Sequence, residues 1–240
     1  MQTTRAIVLR SVRYSDNRVI VTFFSEIYGI MSAPVRINPS GKKGCRSAMM
    51  QVLTLVELCL DFNPSAELQK TKDVQIISPW KDIPYNPVKA SVAMFLGDLL
   101  YHCLWSEGAN SDLFAFIENS LDWLDEAESG YANFHLVFMV RLTRFMGFLP
   151  CSDGYKKGMV YDLKNASFST VIPTHGQFLD ENESRWVSLI LNMHYSQMSR
   201  LRMSRNERWH MLDVLLRYYR LHMPAFGELQ SLDILRELFS

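Results

Sequence analysis

Near residue 80 the hydrophobic period of this chain changes from two to about 3.6, and that change sets its architecture. Between Ala6 and Ile77, apolar and polar residues alternate in a stretch rich in Val, Ile, Thr and Phe. This predicts strands over 5–14, 18–24, 30–37, 49–62 and 68–77. Ser15-Asp16-Asn17 supplies the first turn, Gly29 a tight bend, and Asn63-Pro64-Ser65 the break before the last strand. Five strands with no helix between them match the count of a small Greek-key barrel of the OB type. Beyond Pro84 the pattern is helical. Pro87 stands at the start of a first helix, Asn110-Ser111-Asp112 at the start of a second, and 131–146 reads as a third that ends at Gly147 and Pro150. Around a Lys164-Asn165 turn, 161–168 reads as a β-hairpin, and helices resume over 182–193, 204–223 and 229–239. The expected fold is therefore α+β: an OB barrel at 1–80, a helical bundle at 81–150 and 179–240, and a small β-hairpin insertion at 151–178.

Charge is distributed unevenly along this pattern. The whole chain holds 25 basic and 25 acidic residues. Residues 1–50 nevertheless contain eight basic side chains against two acids, and 81–150 four against nine. A local basic excess suits a polyanionic partner, because neutralising phosphates releases condensed counterions; a solvated charged face is the alternative. The densest piece is PSGKKGCRS, residues 39–47. Its glycines stand too close together for a phosphate-binding loop, and Cys45 follows Gly44 where that motif needs Lys. The choice for it lies between a nucleic-acid grip and a bland hairpin tip.

Other chemistry is poorly represented. No Walker motif, Gly-x-Ser-x-Gly or HExxH spacing occurs, and the histidines are dispersed, so an enzyme is not expected. Asp122, Asp125 and Glu126 read as a solvated helix end. The four cysteines, Cys45, Cys59, Cys103 and Cys151, form no CxxC pair, which predicts reduced thiols, no zinc and no other cofactor. No apolar run reaches the length of a membrane span, and Arg10 and Arg13 interrupt the N-terminal segment before a signal peptide could form. A cytoplasmic protein is expected.

Three segments resemble, in order, the bacterial recombination mediator family RecO. In AIVLRSVRYSDNRVIVTFFSEIYG the similarity rests on Val8, Leu9, Tyr14, Ser15, Asp16, Phe24, Ser25, Glu26 and Gly29. FMVRLTRFMGFLP, 138–150, is similar to that family's central helix and its exit. PAFGELQSLDILRELF, 224–239, is similar to its closing segment, through Phe226-Gly227-Glu228 and Ser231-Leu232. The resemblance implies a DNA repair and recombination protein, associated with the nucleoid, that binds single- and double-stranded DNA and anneals complementary strands. It also implies that the protein works with RecR to load RecA onto strands covered by single-stranded-DNA-binding protein. Many members carry a four-cysteine zinc ribbon as their insertion; here only Cys151 stands in that region, so a metal-free hairpin is expected.

Under this resemblance Lys42, Lys43 and Arg46 are candidate phosphate contacts, with Arg13, Arg18 and Arg36 extending the surface. Tyr14 and Tyr28, each at a turn, are candidates for stacking on bases; Phe23, Phe24 and Phe62 read as core. Arg141 and Arg144 could receive the acidic C-terminal tail of single-stranded-DNA-binding protein, or form an internal ion pair with the acidic middle. Arg200, Arg202, Arg205 and Arg208 form a second basic cluster that could meet DNA or a partner, or simply border a helix. A protein-interaction scaffold whose barrel docks a peptide is the alternative reading of the whole.

Overall fold

The computed structural model describes residues 2–37, 50–77, 79–105 and 107–238. Five antiparallel strands open the chain: β1 (Gln2–Ser15), β2 (Arg18–Ser25), β3 (Gly29–Arg36), β4 (Leu55–Asp61) and β5 (Lys70–Ile76). Their order is β3-β2-β1-β4-β5. The sheet curls so that its edge strands meet: Gln69 N–H donates to the Ser32 carbonyl at 2.8 Å, and the Thr71 hydroxyl to the Pro34 carbonyl at 3.3 Å. This is the expected OB-type barrel. Its interior is filled by alternate residues of all five strands, among them Ala6, Val8, Val21, Phe23, Ala33, Val56 and Leu58. Alternation places their neighbours outside.

The strand register contains one decisive irregularity. Ala6, Ile7 and Val8 pair in step with Ser25, Phe24 and Phe23, but Arg10 pairs with Thr22, leaving Leu9 as a bulge. Before the bulge Ile7 and Leu9 are buried; after it every residue from Arg10 to Ser15 is exposed. A one-residue slip moves side chains to the opposite face. The outer half of β1 thus becomes an exposed ribbon.

The chain divides into two compact units, 1–126 with 228–240, and 127–227. The first unit adds to the barrel α1 (Pro87–Cys103), α2 (Ser111–Glu126) and α6 (Leu232–Leu238). Asn86 caps α1 by accepting from Val88 and Lys89 N–H, with Pro87 at the first helical position. Gly97 of α1 lies against Val52 and the Leu9 carbonyl, where a Cβ would collide. Phe24 on the outer side of β2 meets Phe114 of α2 at 6.1 Å. Ser231 donates through both N–H and hydroxyl to Asp98 at 2.9 Å, which fastens the start of α6 to α1.

Asp125 corrects the sequence expectation of a solvated helix end. It is buried, and its carboxylate accepts from the N–H groups of Lys81, Asp82 and Ile83 at 2.7–2.9 Å. Lys89, 1% exposed, donates to the Asp125 carbonyl at 2.9 Å and pairs with Asp82 at 2.8 Å. The passage from barrel to helices is therefore strapped to the end of α2.

The second unit holds α3 (Phe134–Leu142), α4 (Glu181–Leu191), α5 (Arg205–His222) and a small sheet. Both α4 and α5 begin with capping boxes, Asp180 with Glu183 and Ser204 with Glu207. The helix expected over 131–146 is shorter: a 3-10 turn precedes it, and tight turns follow Leu142 to Gly147, whose φ is +80°. The expected hairpin, β6 (Val160–Asp162) and β7 (Ser167–Ser169), is joined by a third strand, β8 (Phe178–Leu179), which pairs with β6. Asp162 braces the hairpin turn, accepting from Lys164 and Asn165 N–H and meeting His175 Nε2 at 3.2 Å.

Candidate nucleic-acid interface

β1, β2 and β3 together carry five arginines and no Asp or Glu. One of the five is already engaged. Arg5 binds Glu26 through Nε and Nη2 at 2.9 and 2.8 Å, and Glu118 of α2 through Nη1 at 2.7 Å. This bidentate clamp holds the Glu26 carboxyl below its ordinary value of 4.5, the Arg5 hydrogen bond outweighing the opposing effect of burial. Arg5 therefore ties β1 to the β2–β3 turn and to α2.

The other four point to water. Arg18 and Arg36 are direct partners across β2 and β3, so they share one face of the sheet. Like charges in directly opposed positions repel. Neither has a carboxylate partner among the described residues. The same outer face holds Ile20 across from Val12 and, one step further, Thr22 across from Arg10. Arg10 was not singled out from sequence. Its signal there is the break in alternation after Leu9, which places four polar or charged residues within 10–15, RSVRYS. From Arg18 to the Thr22–Arg10 pair is four residues, about 13 Å of strand at ~3.3 Å each. Arg13 lies opposite Val19, on the interior-facing side at the mouth of the barrel, and reaches Asp16 at 3.4 Å. With its side chain 75% exposed, that contact holds it weakly.

Ile37 N–H donates to the Asn17 carbonyl at 2.8 Å, which ties the β1–β2 turn to the end of β3 beside Arg18 and Arg36. The sequence continues from there into 38–49. Lys42, Lys43 and Arg46 lie outside the described residues.

The two tyrosines part company. Tyr14 is 69% exposed at the end of β1, near Arg13 in sequence. Tyr28 lies at the opposite end of the barrel, half-buried and stacked on Phe62 at 4.0 Å with the rings 13° apart. One face of Tyr28 is thus already occupied, and it packs against the barrel core. Phe62, expected in the core, is instead at the surface, 36% exposed. It follows the last residue of β4, where the inward alternation has ended; Phe23 and Phe24 are fully buried as expected.

In the second unit the arginines also separate. Arg141 donates to the Met193 carbonyl at 3.2 Å, meets His194 Nδ1 at 3.0 Å and lies over the Tyr195 ring at 4.7 Å. Its partners are thus a carbonyl, an imidazole and a ring. Arg144 is exposed, as are Arg200, Arg202 and Arg205. Arg208 departs from that cluster: half-buried, it donates to Asn133 Oδ1 at 2.8 Å and to the Met203 carbonyl at 3.3 Å. Near α3 an apolar cavity of about 20 Å³ is lined by Val140, Tyr161, Leu163, Ile190, Leu215 and Tyr218, among others.

No helix among the described residues is long and apolar enough to cross a membrane, and none of the described residues form a group of three or more metal-ligating side chains.

A curled five-stranded barrel followed along the chain by helices defines the class, a protein with an N-terminal OB-type barrel and a mainly helical remainder. The family model for the N-terminal part of recombination protein O matches residues 1–80, and that for its C-terminal part residues 84–231. The chain is 40% identical to the DNA repair protein RecO of Phocaeicola vulgatus over the full length of both. It is 38% identical to that of Bacteroides fragilis, over all of this chain and 99% of the relative, and 29% to that of Flavobacterium psychrophilum, over 99% and 98%. The chain belongs to the RecO family of DNA repair proteins.

Proposed function

We propose that this protein is a non-enzymatic recombination mediator that binds single- and double-stranded DNA, anneals complementary strands and helps load RecA onto strands covered by single-stranded-DNA-binding protein. The observation that carries the reading is the outer face of β1–β3, where Arg18 and Arg36 are held side by side without a carboxylate partner among the described residues. Such a pair is stabilised by an external anion, and a phosphate backbone presents anions in series. Backbone contact carries no base information, so either strand of any sequence is accepted. Two strands held by mobile electrostatic contacts can then exchange partners with no bond made or broken. Lys42, Lys43 and Arg46 are further phosphate contacts in this reading.

Partner contacts fall to the second unit. Exposed Arg144, with Arg141 beside Tyr195, suits the acidic tail of the coating protein, and Arg200, Arg202 and Arg205 offer a further basic surface to a partner such as RecR. The work takes place at the nucleoid, in the cytoplasm.

An annealing assay with complementary oligonucleotides tests the proposal, with and without the coating protein. The protein should accelerate duplex formation in both conditions, and an Arg18→Ala/Arg36→Ala variant of unchanged thermal midpoint should be slower. Acceleration that is equal in the variant would remove this face from the mechanism; none by the parent protein would refute the reading.

A further inference from the structure

Trp105 is 65% exposed. It is not on a loose tail. Leu104 before it is fully buried and donates to the Leu100 carbonyl at 2.9 Å. The Glu107 carbonyl beyond it accepts from Ile30 N–H, at the start of β3, at 3.3 Å. Tyr101 stands edge-on to the indole, with centroids 5.6 Å apart and planes at 65°. Arg10 in turn lies over the Tyr101 ring at 5.1 Å. The three side chains form a fixed series, guanidinium on phenol and phenol against indole, and it begins at Arg10 on the same outer face as Arg18 and Arg36.

We propose that Trp105 is a stacking platform for an unpaired nucleobase, placed where a single strand running along the Arg18–Arg36–Arg10 face reaches the end of α1. The inference rests on the phosphate-binding reading of that face. Its occupant follows from continuity and charge: the exposed ring adjoins a row of cations with no carboxylate on the strands, and a single strand offers phosphates and apolar base faces at once. Val12, 49% exposed, Ile20 and Pro34 share the face, but every charge on it is positive. A nucleic-acid strand supplies a negative charge at each step together with a ring face, which a peptide supplies only where its sequence happens to be acidic. Tyr101 restrains the indole before any ligand arrives, so little rotamer freedom is lost on stacking. Arg10 covers Tyr101 and leaves Trp105 as the ring available to a base. A duplex, whose bases are already stacked, gains nothing from it, so the residue biases the face towards single strands.

The test compares oligothymidylate with an abasic oligomer of the same length and phosphate count, by fluorescence anisotropy. The parent protein should bind the thymidylate at least about fivefold more tightly, the low end expected for one stacked base. Trp105→Ala should lose that preference while keeping its affinity for the abasic oligomer and its salt dependence; Trp105→Phe should retain part of it. The chain has five tryptophans, so quenching by thymidylate is read as the difference between the parent protein and Trp105→Phe. Equal binding of both oligomers by the parent, or a preference that survives Trp105→Ala, would overturn the inference and leave the phosphate reading standing. Failure of the parent to bind either oligomer would overturn the phosphate reading, and this inference with it. Should Trp105→Ala lower the thermal midpoint, Trp105→Phe and the quenching difference decide the matter.

Discussion

Individual side chains divide into those that hold the fold and those left for a ligand, and their partners decide which is which. Arg5 and Arg208 belong to the first group, fixed by Glu26 and Glu118 and by Asn133 and Met203. Arg18 and Arg36 fit the second, and Arg10, lying over the Tyr101 ring but exposed, stands between the two. A sequence shows an arginine but not its partner, so composition alone counts Arg5 and Arg18 alike; the Glu118 that claims Arg5 is 113 residues away. Residue-level burial also makes a pH prediction. His135 on α3 is fully enclosed, and burial, aided by the charge of Arg208, pushes its pKa down to about 3 from 6.5. Between those values the unfolded chain binds a proton that the folded chain does not, so stability is complete above about 6.5 and declines as pH falls towards 3. The slope from one such group cannot exceed about 1.4 kcal/mol per pH unit. Urea unfolding followed from pH 7 to pH 4.5 should show this decline, and His135→Gln should flatten it; parallel curves for the two proteins would show that His135 does not titrate this way.

At the scale of elements, period and caps carried most of the legible information. The five strands, the insertion hairpin and the helices α1, α2, α4, α5 and α6 lie within or close to the spans that alternation, helical period, Pro87, Asn110 and Ser204 mark, although β4 begins only at Leu55 of the expected 49–62; Asn86 and Asp180 emerge as caps from the structure. Two kinds of feature escaped. β8 is only two residues long and exists because β6 offers it a paired edge, a long-range fact with no local pattern. The role of Asp125 is similarly non-local, since the N–H groups it accepts lie more than 40 residues earlier. That carboxylate supplies a prediction for the element it anchors. Asp125→Ala should cost about 2–4 kcal/mol, because it leaves the buried Ile83 N–H and the part-buried N–H groups of Lys81 and Asp82 without their acceptor. Asp125→Asn should cost less: its oxygen can still serve Asp82 and Ile83, which share Oδ1, while its amide faces the Lys81 N–H. Thermal denaturation of the two variants orders them; an alanine variant as stable as the parent would mean that the strap at 81–83 contributes nothing.

For the molecule as a whole, zero net charge conceals a barrel whose first three strands carry charged side chains of positive sign alone. The bulge at Leu9 turns the outer half of β1 into part of that surface, and the β2–β3 pairing sets Arg18 against Arg36. The location of a basic N-terminal region was legible from residue counts; the sidedness that gathers its arginines on one face was not, because it depends on register. The central claim is that this face neutralises DNA phosphates. Its most direct test is the salt dependence of single-strand binding by the parent protein and by Arg18→Ala/Arg36→Ala, at matched thermal midpoint. Loss of two phosphate contacts should reduce the magnitude of the slope of log affinity against log salt by about 1.4, since each contact on a single strand contributes about 0.7. Affinity should fall alike for every base sequence. An unchanged slope and affinity in a folded variant would contradict the claim and place the DNA elsewhere on the protein.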